Sequence, residues 1–479
     1  MSRLTVNYFY NAALTVSSYA INLILFPYVA RVLGVDGLGQ TGFVSDCVHY
    51  FMSFAVLGIT TVGVREVAAC GENREKRSEV FSSLMTMLMI TTGIVMTGYL
   101  LCCFFLPRFI QNRELFLIGT VTLFSMSFAI EWFYQGIENF KYITIRALLI
   151  KLIYASAVFV FVKTQDDIVL YFALTALMLF ANTAVNLLYS RSFATFSFHN
   201  IHIKEYIRPM LLIGAYGIMV SMYTYFTSMY LGFVADDSQV GAFQAAKKLM
   251  YLILGAFTAF TAVMFPRISS LLANDNKEEF NNKIAQSFEL IFSTAIPIVI
   301  FCDVFAPEII SIMSGPGFGI AVVPMQIVMP VLFICAMAQI WVMQVLFPMK
   351  KDWVVLVGSI IGAVCGVILS YLLIRPYGAV GTAITLLLSE LFGNIFGLVY
   401  ALSKGLFRFP VKTLCRSLLL SLPYLAICLF VTYIFGQIWM KIVFSLALCG
   451  IWFLLCHFVI IKDSFIARQA LSLIRRPRS

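Results

Sequence analysis

Apolar residues run through this chain in long, nearly unbroken stretches, and the polar positions fall mostly in short clusters between them. The pattern predicts helices at 10–32, 40–64, 80–105, 115–137, 147–163, 168–190, 209–234, 240–265, 284–303, 324–347, 353–374, 378–400, 414–435 and 441–461. Each is long enough, at 1.5 Å per residue, to cross all or most of the roughly 30 Å of bilayer hydrocarbon. None shows the short alternating strands that a transmembrane barrel requires. The expected fold is therefore an all-α polytopic membrane protein of about fourteen transmembrane helices.

Some of these helices carry polar residues on one face. In the second, Gly42, Asp46, His49, Ser53 and Thr60 fall along a single stripe. The first has Asn7, Asn11, Thr15, Ser18 and Asn22, and the seventh has Tyr216, Tyr223 and Tyr230 a heptad apart. The eighth places Gln244, Lys248, Tyr251, Gly255 and Thr258 together, beside Lys247. An ionisable group in a spanning helix is costly unless it faces protein or water. Four striped helices point to one wet cavity that takes in Asp46, His49, Lys247, Lys248, Tyr251, Asn11 and Asn22. A static buried ion pair, or hydrogen bonding between helices, is the competing explanation.

The chain also repeats. Shifted by 202 residues, the segment from Gly39 through the first charged loop lies without a gap on the segment from Gly241, so that Arg65 meets Arg267 and Asp46 meets Lys248. Further on, "AIEWFYQGIENFK" (129–141) matches "AQIWVMQVLFPMK" (338–350) at a shift of 209, the slip falling where "SGPGFG" is inserted. Six spans precede the equivalent point in the second copy, so the copies share orientation, as in transporters built from parallel repeats with the site at their interface. The expected organisation is a six-helix lobe over 1–205, a second over 206–402, and two added helices with a basic tail over 403–479.

Charge fixes the expected orientation. With the N-terminus inside, 25 Lys and Arg fall in cytoplasmic segments against six outside, the latter including Arg31, and two more lie within the eighth helix. That asymmetry predicts both termini in the cytoplasm. It also turns the net charge of +10 into an orientation signal, not a nucleic-acid surface, with the tail available to anionic lipid head groups. Only 12% of residues are charged, 61% are hydrophobic and the mean hydropathy is +0.93. The N-terminal segment lacks a small-residue cleavage site and is expected to remain as an anchor. The eleven cysteines show no metal-ligand spacing and no disulfide framework, so neither metal nor cofactor is expected. No enzymatic constellation stands out, and "GPGFG" has no Lys-Ser/Thr after it to form a nucleotide loop. Lys151 reads as a snorkelling residue, Glu131 as an interfacial or functional carboxylate, and Glu390 lies deep in the twelfth helix. Arg65 and Arg267 read as cytoplasmic anchors whose symmetry would also suit a gate.

The run "ILFPYVARVLGVDGLGQTGFV" (24–44), with Pro27, Tyr28, Arg31, Leu33 and Gly34, and the later "LGITTVGVREVA" (57–68), with Gly63, Arg65 and Glu66, resemble the N-terminal signature of Wzx-type O-antigen and polysaccharide-unit flippases. "YGAVGTAITLLLSE" (377–390) resembles a later span of the same family, which belongs to the multidrug/oligosaccharidyl-lipid/polysaccharide exporter superfamily. The resemblance implies two helical lobes around a cavity open alternately to each side of a bacterial inner membrane. It implies an undecaprenyl-diphosphate-linked oligosaccharide as substrate, with membrane lipids, a polysaccharide polymerase and a chain-length regulator as partners. A sugar diphosphate cannot cross hydrocarbon unaided, and cationic side chains would offset its charge. On this reading Lys247, Lys248 and Arg31 meet the substrate, while Asp46, His49 and Glu390 are candidates for ion coupling. A cation antiporter of the multidrug type and a non-transporting scaffold of a glycan assembly complex are the alternatives.

Overall fold

The computed structural model describes residues 3–199, 201–274, 276–461 and 465–468, with the side chains of 3–9, 11–13, 15, 16 and 273 excepted. The described residues are helical almost throughout. In order come α1 (Arg3–Val56), α2 (Ile59–Ala69), α3 (Arg74–Phe105), α4 (Pro107–Gln111), α5 (Arg113–Ser127), α6 (Glu131–Gly136), α7 (Phe140–Phe161), α8 (Ile168–Ser190) and α9 (Ile203–Thr224). These are followed by α10 (Phe226–Val234), α11 (Asp237–Ala273), α12 (Lys277–Val304), α13 (Ala306–Met313), α14 (Val322–Gln339), α15 (Asp352–Leu369), α16 (Arg375–Ser403), α17 (Val411–Ile434) and α18 (Ile438–Leu455).

Among the described residues, twelve segments are long and apolar enough to cross a membrane, but two of them, Ser17–Val56 and Asp352–Ser403, run to 40 and 52 residues. A single crossing needs about 20. Each long segment is broken by a glycine in a conformation closed to other residues: Gly34 at φ 70° and ψ −178°, Gly378 at φ 53° and ψ −126°. Divided there, the twelve become fourteen, the number the apolar pattern predicts.

Three further breaks interrupt helices that hydropathy alone reads as continuous. The second span stops at Leu57 and Gly58, both with positive φ, and α2 leaves in a new direction. Thr60 therefore lies beyond the break, out of register with the stripe from Gly42 to Ser53. The fourth span ends before Ile130, also at positive φ, so Glu131 opens the short helix α6. The seventh divides at Tyr225 into α9 and α10. The two short helices α2 and α6 pack closely because Gly63 lies under the Trp132 ring and Gly136 under Val67. A Cβ on Gly63 would fall 2.3 Å from that ring.

The chain forms two compact units: one contains 1–245, 314–317 and 363–385, the other 246–313, 318–362 and 386–479. In the first, Trp132, Phe133, Tyr134, Phe81 and Leu84 centre one buried cluster, while Leu25, Val29 and Leu33 of α1 meet Val158 of α7 and Val162 just beyond its end in another. In the second, Phe288, Phe292 and Ile296 of α12 are buried, as are Val328, Met329 and Leu332 of α14. Many large apolar side chains remain exposed along α3, α7, α17 and α18, as expected of helices solvated by lipid, not water.

Candidate functional site

The polar stripe of the second span begins beside a backbone-to-backbone contact. A Cβ on Gly39 would sit 1.9 Å from the Asp237 carbonyl oxygen, and one on Gly241 would sit 1.9 Å from that of Val35. The 202-residue shift maps Gly39 onto Gly241 and Val35 onto Asp237. The contact is thus reciprocal: each copy's glycine takes in the other copy's carbonyl. One turn on, Gly42 and its repeat partner Gln244 meet as well, since a Cβ on Gly42 would crowd the Gln244 Cγ at 2.6 Å. The absent side chain makes room for the long amide.

Gln244 uses that room to reach Asp46. Its Nε2 donates to Asp46 Oδ2 at 2.5 Å and lies 3.3 Å from the Ser228 hydroxyl. Asp46 is only 5% exposed. A hydrogen-bond donor beside a buried carboxylate offsets part of its desolvation. One turn further, His49 Nδ1 lies 2.7 Å from the Ser45 carbonyl, which can only accept, so Nδ1 carries the proton. The imidazole stacks on Tyr225, with centroids 5.0 Å apart and an interplanar angle of 18°. Tyr225 reaches it from the break between α9 and α10. Next comes Ser53, whose hydroxyl bonds the Tyr50 carbonyl and lies 3.1 Å from that of Ser221. Asp46, His49 and Ser53 thus form a polar ladder down the second span, each rung meeting α9, α11 or the turn at Tyr225.

The other sequence candidates fall in several places. Arg31 donates to the Pro27 carbonyl, and its Cγ packs where a Cβ on Gly315 would come within 2.8 Å. The inserted glycine-rich loop thereby fits around an arginine of the first span. Asn22 is half-buried, while the side chain of Asn11 lies outside the described residues. In the second unit Lys247 is buried, Lys248 exposed and Tyr251 half-buried. Glu390 accepts from Asn394 Nδ2 at 2.9 Å. Arg65 is exposed and bonded to Glu66 at 2.7 Å, and Arg267, also exposed, is 3.8 Å from Glu279.

Two ion pairs escape a reading by stripes. Arg108 is one of the six basic residues that the charge asymmetry places outside, and nothing else in the sequence marks it. Its guanidinium donates to the Gly232 carbonyl near the C-terminus of α10 and to Asp237 in the first turn of α11, and sits 5.7 Å from the Phe43 ring. A cation at a helix C-terminus and a carboxylate at an N-terminus both complement the helix dipoles. This clamp borders a cavity of about 700 Å³ lined by Gln111, Asp236, Gln239, Arg375 and Tyr377. Gln239 also accepts from the Ala379 amide, just past the break at Gly378. The second pair joins Glu131 to Arg146 at 2.7 Å, which gives Glu131 a partner that spacing did not reveal.

Comparison with known proteins agrees with this architecture. Over 403 residues the chain is 26% identical to a candidate O-antigen transporter of Escherichia coli (strain K12), covering 80% of this chain and 93% of that one. Among solved structures, the lipid II flippase MurJ in an inward closed conformation superposes with a TM-score of 0.77 at 14% identity, over 95% of this chain and 99% of the other. An inward-facing multidrug transporter of the MATE family, from the MOP superfamily, gives 0.59 at 14% identity, over 80% of this chain and 95% of its own. The two superpositions establish a shared fold. The family model for polysaccharide biosynthesis proteins matches residues 4–272, more than half of the chain, so this multi-pass membrane protein belongs to the polysaccharide biosynthesis protein family.

Proposed function

We propose that the protein moves undecaprenyl-diphosphate-linked oligosaccharide units from the cytoplasmic to the periplasmic leaflet of a bacterial inner membrane, with both termini in the cytoplasm. The observation that carries this reading is the polar ladder of Asp46, His49 and Ser53 inside a span that is otherwise apolar. A membrane protein with no need to pass a hydrated group gains little from such a ladder. The diphosphate supplies that need, and Lys248, one helical turn beyond Gln244 on α11, supplies an exposed cation. The O-antigen transporter relatives support the choice of a lipid-linked glycan.

In this scheme the reciprocal glycine contact and the Arg108–Asp237 clamp close one side while the substrate enters from the other. Release then requires both to part. Lys248 is the cation that meets the diphosphate, and Asp46 and His49 are the candidates for ion coupling. Polysaccharide polymerase and chain-length regulator proteins are the expected recipients of the product.

The test is surface-polysaccharide production at matched protein level. Lys248→Ala should abolish it, with Lys248→Arg retaining part. Normal production from the Lys247→Ala/Lys248→Ala double variant would remove the lysines from the mechanism.

A further inference from the structure

Away from the ladder, one groove of the first unit joins a buried cation to an apolar wall. It has a volume of about 510 Å³ and runs between α7 and α8. On α7 its wall consists of two adjacent ridges, Lys141–Ile145–Leu149 and Tyr142–Arg146–Ile150, each at the four-residue spacing that aligns side chains along a helix. Ile145 and Leu149 are 45% and 55% exposed, so the groove opens sideways. Within the described residues, an apolar face left open on a spanning helix is a face for lipid.

Arg146 is the unusual member. Its side chain is 5% exposed. Its Nη2 donates to Glu131 and the guanidinium sits 5.6 Å from the Tyr142 ring, but Nε and Nη1 are buried without a hydrogen-bond partner among the described residues. A guanidinium carries five N–H donors, and buried charged donors are normally satisfied. The fold does not require this arrangement. At the 209-residue shift, the second copy has Ile340 in place of Glu131 and Val355 in place of Arg146, and both are buried. One copy thus builds these positions from apolar side chains, while the other places a charge there and leaves two donors over.

We propose that this groove binds an anionic glycerophospholipid of the surrounding bilayer, with the headgroup phosphate held by Arg146 and Lys141 and an acyl chain lying along Ile145 and Leu149. The charge balance selects the class. Two cations less the Glu131 carboxylate leave one positive charge, which complements the single negative charge of a phosphodiester better than the multiple charges of a diphosphate. Arginine suits a phosphate oxygen acceptor in a partly dehydrated site. The apolar ridges select a lipid over a free anion. This lipid is a resident of the protein's flank, separate from the substrate proposed above.

The full-length protein, purified in detergent, can be examined by native mass spectrometry and thermal unfolding during titration with phosphatidylglycerol, phosphatidylethanolamine, undecaprenyl phosphate or inorganic phosphate. Phosphatidylglycerol should bind and raise the unfolding temperature. The Glu131→Ile/Arg146→Val variant, which copies the protein's own second half and so spares the fold, should bind it at least ten-fold more weakly, with Arg146→Lys between the two. Equal phosphatidylglycerol binding by wild type and double variant would overturn the proposal. So would equal stabilisation by inorganic phosphate, which would mark a free-anion site. Tighter binding of undecaprenyl phosphate than of phosphatidylglycerol, lost in the double variant, would assign the groove to the transported lipid instead. None of these outcomes depends on Lys248, so this proposal and the transport mechanism can fail separately.

Discussion

The part of α1 beyond Gly34 and the start of α11 are two copies of one repeat, and they differ in an instructive way. Where the backbones touch, the copies agree: Gly39 and Gly241 occupy equivalent positions and make equivalent contacts with Val35 and Asp237. Two turns further they diverge, with Asp46 buried against an amide and Lys248 exposed. Close helix approach imposes the same demand on both sides, because any side chain collides with a carbonyl. Chemistry imposes none, so the copies took opposite charges. Steric positions preserve the symmetry and polar positions exploit its loss.

The sharpest way to break the comparison is to add bulk at the shared glycines. Gly39→Leu or Gly241→Leu should each destabilise the protein by about 3 kcal/mol or more, because the obstacle is backbone and cannot rotate away. Both should abolish polysaccharide export. Thermal unfolding of the purified variants checks this, and a fall from only one of the two would show that the contact is not reciprocal in energy. A smaller loss is expected at the divergent positions. Asp46→Leu leaves the Gln244 amide without its carboxylate and should cost about 2 kcal/mol, while Asp46→Asn, which keeps an acceptor, should cost less than half of that. Transport under an imposed pH gradient then separates charge from structure. Unchanged pH dependence in Asp46→Asn would remove Asp46 from coupling.

The clamp comes next. Arg108→Ala should cost about 1 kcal/mol, since the partners retain some solvent contact. Its clearer signature is conformational: cysteines placed at Gln111 or Gln239 beside the adjoining cavity should label faster in the variant than in an otherwise identical Arg108 background. The mildest change is Ser53→Ala, at under about 0.5 kcal/mol, because Ser221 also bonds its own helix through the Ile218 carbonyl. A loss as large as that of Asp46→Leu would mean that the lower rung of the ladder carries more than its geometry implies.

Much of this architecture was legible in the chain itself. Apolar runs are long and their ends are marked by charge, so the spans could be counted. The repeat emerged because glycines and charged loops recur at a nearly constant shift. What escaped was direction within the runs. Leu57, Ile130 and Tyr225 are apolar or aromatic and leave no gap in hydropathy, yet each marks a helix break. Thr60 was therefore assigned to a face that it does not share. One hydrogen-bond partner of Asp46 was also hidden. The amide of Gln244 reaches the carboxylate only because Gly42 has no side chain, and that is a property of two helices together. Arg146 was invisible for a similar reason: its position in α7 is ordinary, and only the packing around it shows donors left over.

The reciprocal glycine contact also has a consequence for the chain's history. After a duplication, each copy of a gene segment is usually at liberty to drift and to be repaired by compensating changes nearby. Here no such repair exists within a copy. A larger residue at 39 is opposed by the carbonyl of residue 237, which no substitution can shorten, and the same holds for 241 and residue 35. Each half of the sequence is thus held to account by the other at this contact, while two turns away, at Asp46 and Lys248, the copies have been open to invention.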